Sequence, residues 1–297
     1  MMRAASCRSS RSRQEWVAEK ARGELEMTFE VGVLGRTVLS HLYRQVPLIV
    51  QQELYFDSEW PDLPCVYILS SGGPQVEGDY YRQRIELRCG AVAHISTGAA
   101  TKVAEMTRGG VSVDTLIHLA DNAYLEWLPE PTILCRGSNL QTSTRLVVAE
   151  SATLFHSEIY MAGRKHRGEL WEFDGVSALT VAERPDGRRL WVERQRLHPT
   201  LEEVRCVGVM GDYDVWACVT ILTPRECADR IYEAVESTPP SEHAPCIGIT
   251  RLPHDVGLSA KVLGRESGEV KRVVRELCDR VRRVTQGRAL PAEFPWR

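Results

Sequence analysis

No stretch of the 297 residues approaches the roughly 18 consecutive apolar residues that a membrane-spanning helix needs, and no apolar signal segment stands at the N-terminus. A charge bias is missing too. With 37 basic and 40 acidic residues the formal charge is −3, which gives no global attraction to nucleic acid or to an anionic membrane. The nine cysteines (7, 65, 89, 135, 206, 218, 227, 246 and 278) are odd in number and scattered, without a CxxC pair. A secreted disulfide scaffold would be shorter and denser in cysteine, so these read as buried thiols of a reducing cytoplasm. Cys206, Cys218 and Cys227 have spacings that suit strand and helix packing better than zinc, and neither H-E-x-x-H nor G-x-S-x-G occurs. His166, in "GRKHRGE", reads as a surface-loop histidine.

One segment does invite a catalytic reading. "GAVAHISTGAATKVAEM", from Gly90 to Met106, gathers glycines, threonines and Lys102 as a phosphate-cradling loop would. A P-loop requires G-x-x-x-x-G-K-[ST] between a buried parallel strand and a helix. Here Lys102 follows Gly98 by four positions, Thr101 precedes the lysine, and no βαβ alternation surrounds them. The phosphate reading fails.

What is present is β-structure. At 43% hydrophobic and 26% charged residues, the chain can bury a substantial core, as two domains of about 150 residues or one large β domain. "GELEMTFE" and "RTVLSHLY" alternate in polarity, while "PLIVQQELYF" and "PCVYILS" are short apolar runs rich in Val, Ile and Tyr. Two alternating runs flank Pro185-Asp186-Gly187 and predict a hairpin. "IELRCGAVAHIST", "IHLADNAYLEWLP" and "LVVAESATLFHSEI" each read as strand, short turn, alanine, strand, and Ala91, Ala123 and Ala152 stand 32 and 29 residues apart. Such self-similarity marks stacked supersecondary units. A β-solenoid or distorted β-helix and a two-sheet sandwich both accommodate it.

Helices are predicted twice. "TPRECADRIYEAVES" carries Thr223 as N-cap, Pro224 at the first helical position and Glu226 to close a capping box, with Cys227, Ala228, Ile231, Tyr232 and Val235 on one face. The "STPPSEHAP" that follows reads as a loop. "GEVKRVVRELCDRVRRVTQ", residues 268–286, aligns Val270, Val273, Val274, Leu277, Val281 and Val284, with Gly287 as a stop. Its other side, Lys271, Arg272, Arg275, Arg280, Arg282 and Arg283, reads as a solvated basic face. Residues 1–14, rich in Arg and Ser and free of acids, are expected to be a disordered leader or an early start, with a superficial likeness to an organelle transit peptide.

Taken together, "GRTVL", "PLIVQQELY", "VYILSSGGPQVEGD", "STGAATKV", "AYLEWLPEPTIL", "MAGRKHRGE" and "DVGLSAKVLG…VRRVTQGR" occur in an order that resembles the urease accessory protein UreD, called UreH in some bacteria. The resemblance runs from about Trp16 to Arg297. It implies a mainly β fold of stacked, β-helix-like coils with two helices in the C-terminal third, as one domain over residues 15–297 with helices near 224–236 and 268–286. It implies a cytoplasmic, non-enzymatic scaffold for nickel insertion, without nucleic-acid or membrane partners. This scaffold would bind apo-urease and a helical UreF-type partner, through that partner recruit a nickel-carrying UreG-type GTPase, and form a complex that can pair as a homodimer. No tightly bound cofactor is implied, only transient Ni²⁺. Departures are visible: Gly98 stands where the family commonly has Gln, Glu130-Pro131 where Gln-Glu is frequent, and "GGPQVEGD" where the family has a GGD turn.

Passage of nickel calls for carboxylates, hydroxyls and imidazoles that hold weakly and face inward on strands. Five residues qualify as transient nickel ligands: Asp79 at the Gly-rich turn, Thr97 and Thr101 in the opening segment, Glu158 within "FHSEIYMAG", and Glu193 within "LWVERQRL". Glu158 leads, because a carboxylate among Phe155, Ile159, Tyr160 and Met161 is costly unless paired or metal-bound. Each also has an ordinary role open to it: a turn cap for Asp79, an exposed strand position for Glu193, and an ion pair with Arg164 or Arg167 for Glu158. A stoichiometric chaperone that conducts no metal, and an enzyme with a pocket assembled only on folding, remain the competing classes.

Overall fold

The computed structural model describes residues 23–236 and 245–292. The expected leader at 1–14 and most of the "STPPSEHAP" segment lie outside those residues. The chain runs through β1 (Gly23–Val31), β2 (Thr37–Gln45), β3 (Leu48–Ile49), β4 (Cys65–Ser70), β5 (Tyr80–Leu87), β6 (Val92–Thr97), β7 (Thr101–Val103), β8 (Val111–Leu119) and β9 (Tyr124–Trp127). It continues through β10 (Thr132–Leu134), β11 (Asn139–Val148), β12 (Thr153–Met161), β13 (Gly175–Glu183), β14 (Arg189–Leu197), β15 (Val215–Leu222), α1 (Arg225–Glu236), β16 (Cys246–Arg251), β17 (Gly257–Gly264) and α2 (Ser267–Gln286).

One sheet has the order β14-β13-β11-β8-β5-β1-β2, the other β16-β17-β15-β12-β9-β6-β4-β3, with β7 and β10 pairing beside β12. The central strands of both sheets are parallel and step by one coil at a time, whereas the outer pairs β1–β2, β13–β14, β12–β15 and β15–β17 are antiparallel. This is a solenoid of about four stacked coils with capping hairpins, and the sandwich alternative is set aside.

The three alanines explain the stacking. Ala91, Ala123 and Ala152 are all buried, and each donates its N–H to a carbonyl three residues back, at 3.0, 3.2 and 3.2 Å. The Ala91 and Ala123 carbonyls then accept from Tyr124 and Thr153 in the next coil, both at 2.9 Å. A larger side chain would enter the packed interior at each corner. Inside the first sheet, aliphatic side chains form ladders in register: Phe29–Leu87–Leu119–Val148 and Met27–Ile85–Ile117–Leu146–Ala182. All are essentially inaccessible, and burial of each large one contributes about 1.5–3 kcal/mol.

The other face of the second sheet carries the helices. Val270, Val273, Val274, Leu277 and Val281 of α2 and Ala228 and Ile231 of α1 pack on Phe155, Ile159, Val219, Ile221, Leu258, Ala260 and Val262. Gly287 ends α2 with φ +65°, as expected of a left-handed cap. The "MAGRKHRGE" signature is structural: Gly163 has φ +143°, and a Cβ there would stand 2.3 Å from the Glu169 carbonyl oxygen. Glu169 in turn accepts from the Arg136 N–H and pairs with Arg164.

Several expectations need correction. Arg282 does not belong to a solvated face: it is fully buried, with Nε and one Nη donating to Glu126 at 2.6 and 2.7 Å and the other Nη to Asp57 at 2.5 Å. Position 282 lies beside Val281 and Cys278 on the face turned to the sheet, where two acids await it. The cysteines are not uniformly buried, since Cys89, Cys206 and Cys246 are exposed on turns, a loop and an edge strand. Within "PLIVQQELYF" the pairing is confined to the short strand Leu48–Ile49 and a single bridge from Leu54 to Cys65, leaving the two glutamines between them to a surface groove. The Thr223 hydroxyl shares a hydrogen bond with that of Thr153 at 2.8 Å, and α1 begins at Arg225.

Candidate functional site

The aliphatic ladders do not fill the whole space between the sheets. The next rung along the first sheet is Leu25–Gln83–Thr115–Thr144–Thr180–Glu193, in continuous register from β1 to β14. Five polar side chains therefore form a transverse stripe on an inward face, where Thr115, Thr144 and Thr180 are buried. On the facing side, the inward rows of the second sheet carry Trp127–His156–Thr220–Ser259 and Glu158–Cys218–Lys261. Two polar faces meet where an ordinary solenoid would interdigitate aliphatics.

Between them lies a cavity of about 460 Å³. Its lining includes Gln83, Thr115, Thr144, His156 and Glu158 in the interior and Thr97 and Thr101 toward the loops at 72–75 and 98–102. The Gln83 Oε1 is buried with no hydrogen-bond partner among the described residues. Such an orphaned carbonyl oxygen calls for a donor or a cation.

The electrostatics separate the groups. Burial pushes the Glu158 carboxyl up to about 7, with Lys261 opposing and Glu193 reinforcing the shift. Burial pushes the His156 imidazole down to about 4, so it is neutral at pH 7, and it stacks on Trp127 with ring centroids 6.3 Å apart. Burial likewise raises the Cys218 thiol to about 12, while its Sγ lies 3.2 Å from Gln195 Oε1. Lys261 ion-pairs with Glu193. Glu158 is thus a carboxyl poised to change protonation near neutrality, two residues along the same inward strand face from a neutral imidazole. These are donors that could hold a divalent cation weakly.

Of the five residues expected to contact nickel, Thr97, Thr101 and Glu158 line this one cavity. Glu193 stands at the end of the polar stripe, held by Lys261. Asp79 lies elsewhere: its Oδ2 accepts from the Val76 N–H at 2.9 Å and the Tyr81 hydroxyl at 2.8 Å, and its own N–H donates to the Val76 carbonyl. It ties the Gly-rich turn. The groups that act on the Glu158 carboxyl are Lys261, Glu193 and Tyr160 in place of Arg164 or Arg167, and Arg164 pairs with Glu169 at 2.5 Å. Among the described residues, no cluster of three or more His, Cys, Asp or Glu side chains is arranged to hold a metal ion.

Sequence reasoning missed Gln83, Thr115, Thr144, Thr180, His156 and Lys261. The signal was available, since Gln83, Thr115 and Thr144 are spaced by 32 and 29 residues, the same steps as the corner alanines. Also missed was the Asp57–Arg282–Glu126–His94 network, in which His94 Nδ1 lies 2.8 Å from Glu126 and the Tyr124 hydroxyl donates to Glu126 at 2.6 Å. Bonds to Arg282 and His94 hold Glu126 down to about 2 against the opposing effect of burial. This network faces α2, not the cavity.

Residues 21–297 match the family model described as "UreD urease accessory protein". A Brucella suis protein called "Urease accessory protein UreD 2" is 38% identical over 263 residues, covering 88% of this chain and 87% of that protein. A Yersinia pseudotuberculosis protein called "Urease accessory protein UreD" is 37% identical over 264 residues, covering 88% of this chain and 82% of its own length.

Proposed function

The chain belongs to the UreD family of urease accessory proteins, and on that premise we propose that it serves urease maturation as a scaffold whose interior passes Ni²⁺ toward apo-urease. The polar stripe carries this reading. A solenoid with no cargo gains more from another aliphatic ladder than from buried hydroxyls, because each hydroxyl buried without full compensation costs about 1–3 kcal/mol. Four inward positions in successive coils are nevertheless Gln83, Thr115, Thr144 and Thr180.

In this reading the ion is handed between oxygen donors. Thr97 and Thr101 meet it near the mouth, the Gln83 carbonyl and the threonine hydroxyls carry it across the interior, and Glu158 supplies the anionic charge. Neutral His156 offers a nitrogen donor without electrostatic repulsion. The protein is a cytoplasmic non-enzyme in this account. It bridges urease to a helical UreF-type partner and, through it, to a UreG-type GTPase that brings the nickel, and the whole complex pairs as a dimer. The absence of a metal-holding cluster among the described residues suits a path better than a store. A chaperone that only exposes a urease site is the alternative, and it would have no use for the stripe.

The test replaces Glu158→Ala in one variant and Thr115→Val with Thr144→Val in another, and measures complex formation and urease nickel content separately. Intact complexes with reduced urease nickel are expected from both. Normal nickel loading by both variants would remove the passage and leave the stoichiometric chaperone.

A further inference from the structure

A second space, a groove of about 600 Å³, lies on the helix side and includes Gln51, Gln52, Tyr67 and Lys271 in its lining. It shares Leu69, Thr97, Gly98, Ala99 and Glu130 with the inner cavity. These five residues are the wall between the two. Within it Gly98 packs so closely on Leu69 that a Cβ would stand 2.1 Å from Leu69 Cδ2. Glu130 is fixed in it by prolines on both sides, which restrict the local backbone, and by its N–H donating to Thr97 Oγ1 at 2.9 Å.

The Glu130 carboxylate receives the Lys271 ammonium at 2.6 Å, and the two side chains are 14% and 31% exposed. Lys271 therefore reaches the wall from the groove side, while Glu130 lines both spaces. A lysine is a hydrated point charge on a flexible stem, so it can leave this contact without moving its helix. The helix itself is held farther along by the bidentate Arg282–Glu126 pair. The same α2 thus has one fixed cation and one releasable cation.

We propose that the Lys271–Glu130 ion pair closes the wall between the inner cavity and the outer groove, and that a divalent cation competes with the Lys271 ammonium for the Glu130 carboxylate. This rests on the passage reading above. Glu130 then presents a carboxylate beside the Thr97 hydroxyl at the point where the two spaces meet, and Lys271 keeps that carboxylate occupied until an ion of higher charge displaces it.

The experiment is a Ni²⁺ titration of the full-length chain in complex with its helical partner, whose own nickel sites cancel between variants. Lys271→Met is expected to tighten binding roughly three- to fivefold, the range that a partly exposed ion pair supports. Lys271→Arg should leave affinity unchanged, and adding Glu130→Gln to Lys271→Met should abolish the gain. Lys271→Gln serves as a second neutral variant should Lys271→Met fail to assemble. Unchanged affinity in the neutral variants, or a gain that survives Glu130→Gln, overturns the closure. If the neutral variants bind as wild type while Glu158→Ala still lowers urease nickel, the closure alone is wrong. If Glu158→Ala is also without effect, the passage itself falls.

Discussion

Replacing Arg282 with Met is the sharpest probe of how this fold is held. Three groups with no exposed surface meet there: the guanidinium, the Glu126 carboxylate that it grips at 2.6 and 2.7 Å, and the Asp57 carboxylate at 2.5 Å. Methionine fills much of the volume and deletes the charge, so two carboxylates are left buried without their cation. Removing one partner of a buried pair costs about 3–5 kcal/mol. At about 2–4 °C per kcal/mol for a chain of this size, the melting temperature should drop by roughly 6–20 °C. Denaturant midpoints at pH 7 and pH 5.5 provide the assay. In the wild type, the folded Glu126 has its pKa depressed to about 2. Its contribution is therefore present above about 4.5 and is lost only as pH falls through 2. In the variant that depression is gone, and protonation relieves the stranded charge, so between pH 7 and pH 5.5 Arg282→Met should gain stability relative to the wild type, the Glu158 and His156 contributions being common to both. Adding Glu126→Gln should restore part of the loss. A loss under about 1 kcal/mol, or no gain relative to the wild type on acidification, would refute the assignment of Arg282 as the fixed anchor of α2.

Two further predictions use the same reasoning elsewhere. Gly163→Ala should abolish soluble expression or lower stability severely, because φ +143° and a Cβ 2.3 Å from the Glu169 carbonyl oxygen leave no room without moving backbone; a soluble variant with wild-type melting would contradict this. His156 is neutral when folded, with its pKa lowered to about 4, so its contribution is full above about 6.5 and lost as pH falls from 6.5 to 4, up to roughly 3 kcal/mol. His156→Gln should remove this loss and leave the opposing gain that Glu158, raised to about 7, makes as pH falls from 7 toward 4.5, and an unchanged profile would show that another group sets it.

Much of the scaffold was legible in the sequence because it depends on local chemistry. The Pro185-Asp186-Gly187 turn forms the β13–β14 hairpin as read, and the alanines at 91, 123 and 152 mark the coil corners. Gly287 stops α2. What stayed hidden depends on partners far apart in the chain. Arg282 looks like any helix arginine until Glu126, 156 residues earlier, is brought beneath it. The threonine stripe hid differently: threonine is both a favoured strand residue and a polar one, so its periodic return does not stand out in a β-rich chain. Asp79 was singled out for its turn, and its carboxylate ties that turn through the Val76 N–H. Glu158 stood out because a carboxylate interrupts an apolar run, which is a signal of energetic cost and needs no knowledge of the partner.

The stripe from Gln83 to Glu193 crosses five adjacent strands. Neighbouring strands stand about 4.8 Å apart, so it measures roughly 19 Å. Its length is therefore counted in whole coils. Inserting one corner-to-corner unit of about 30 residues would lengthen it by a single step of about 4.8 Å and leave every other rung in register, whereas inserting a single residue within a strand would turn the inward positions beyond it outward. A solenoid of this kind works as a ruler. The distance between whatever docks at its two ends can change only in increments, and each increment brings its own corner alanine and its own polar rung.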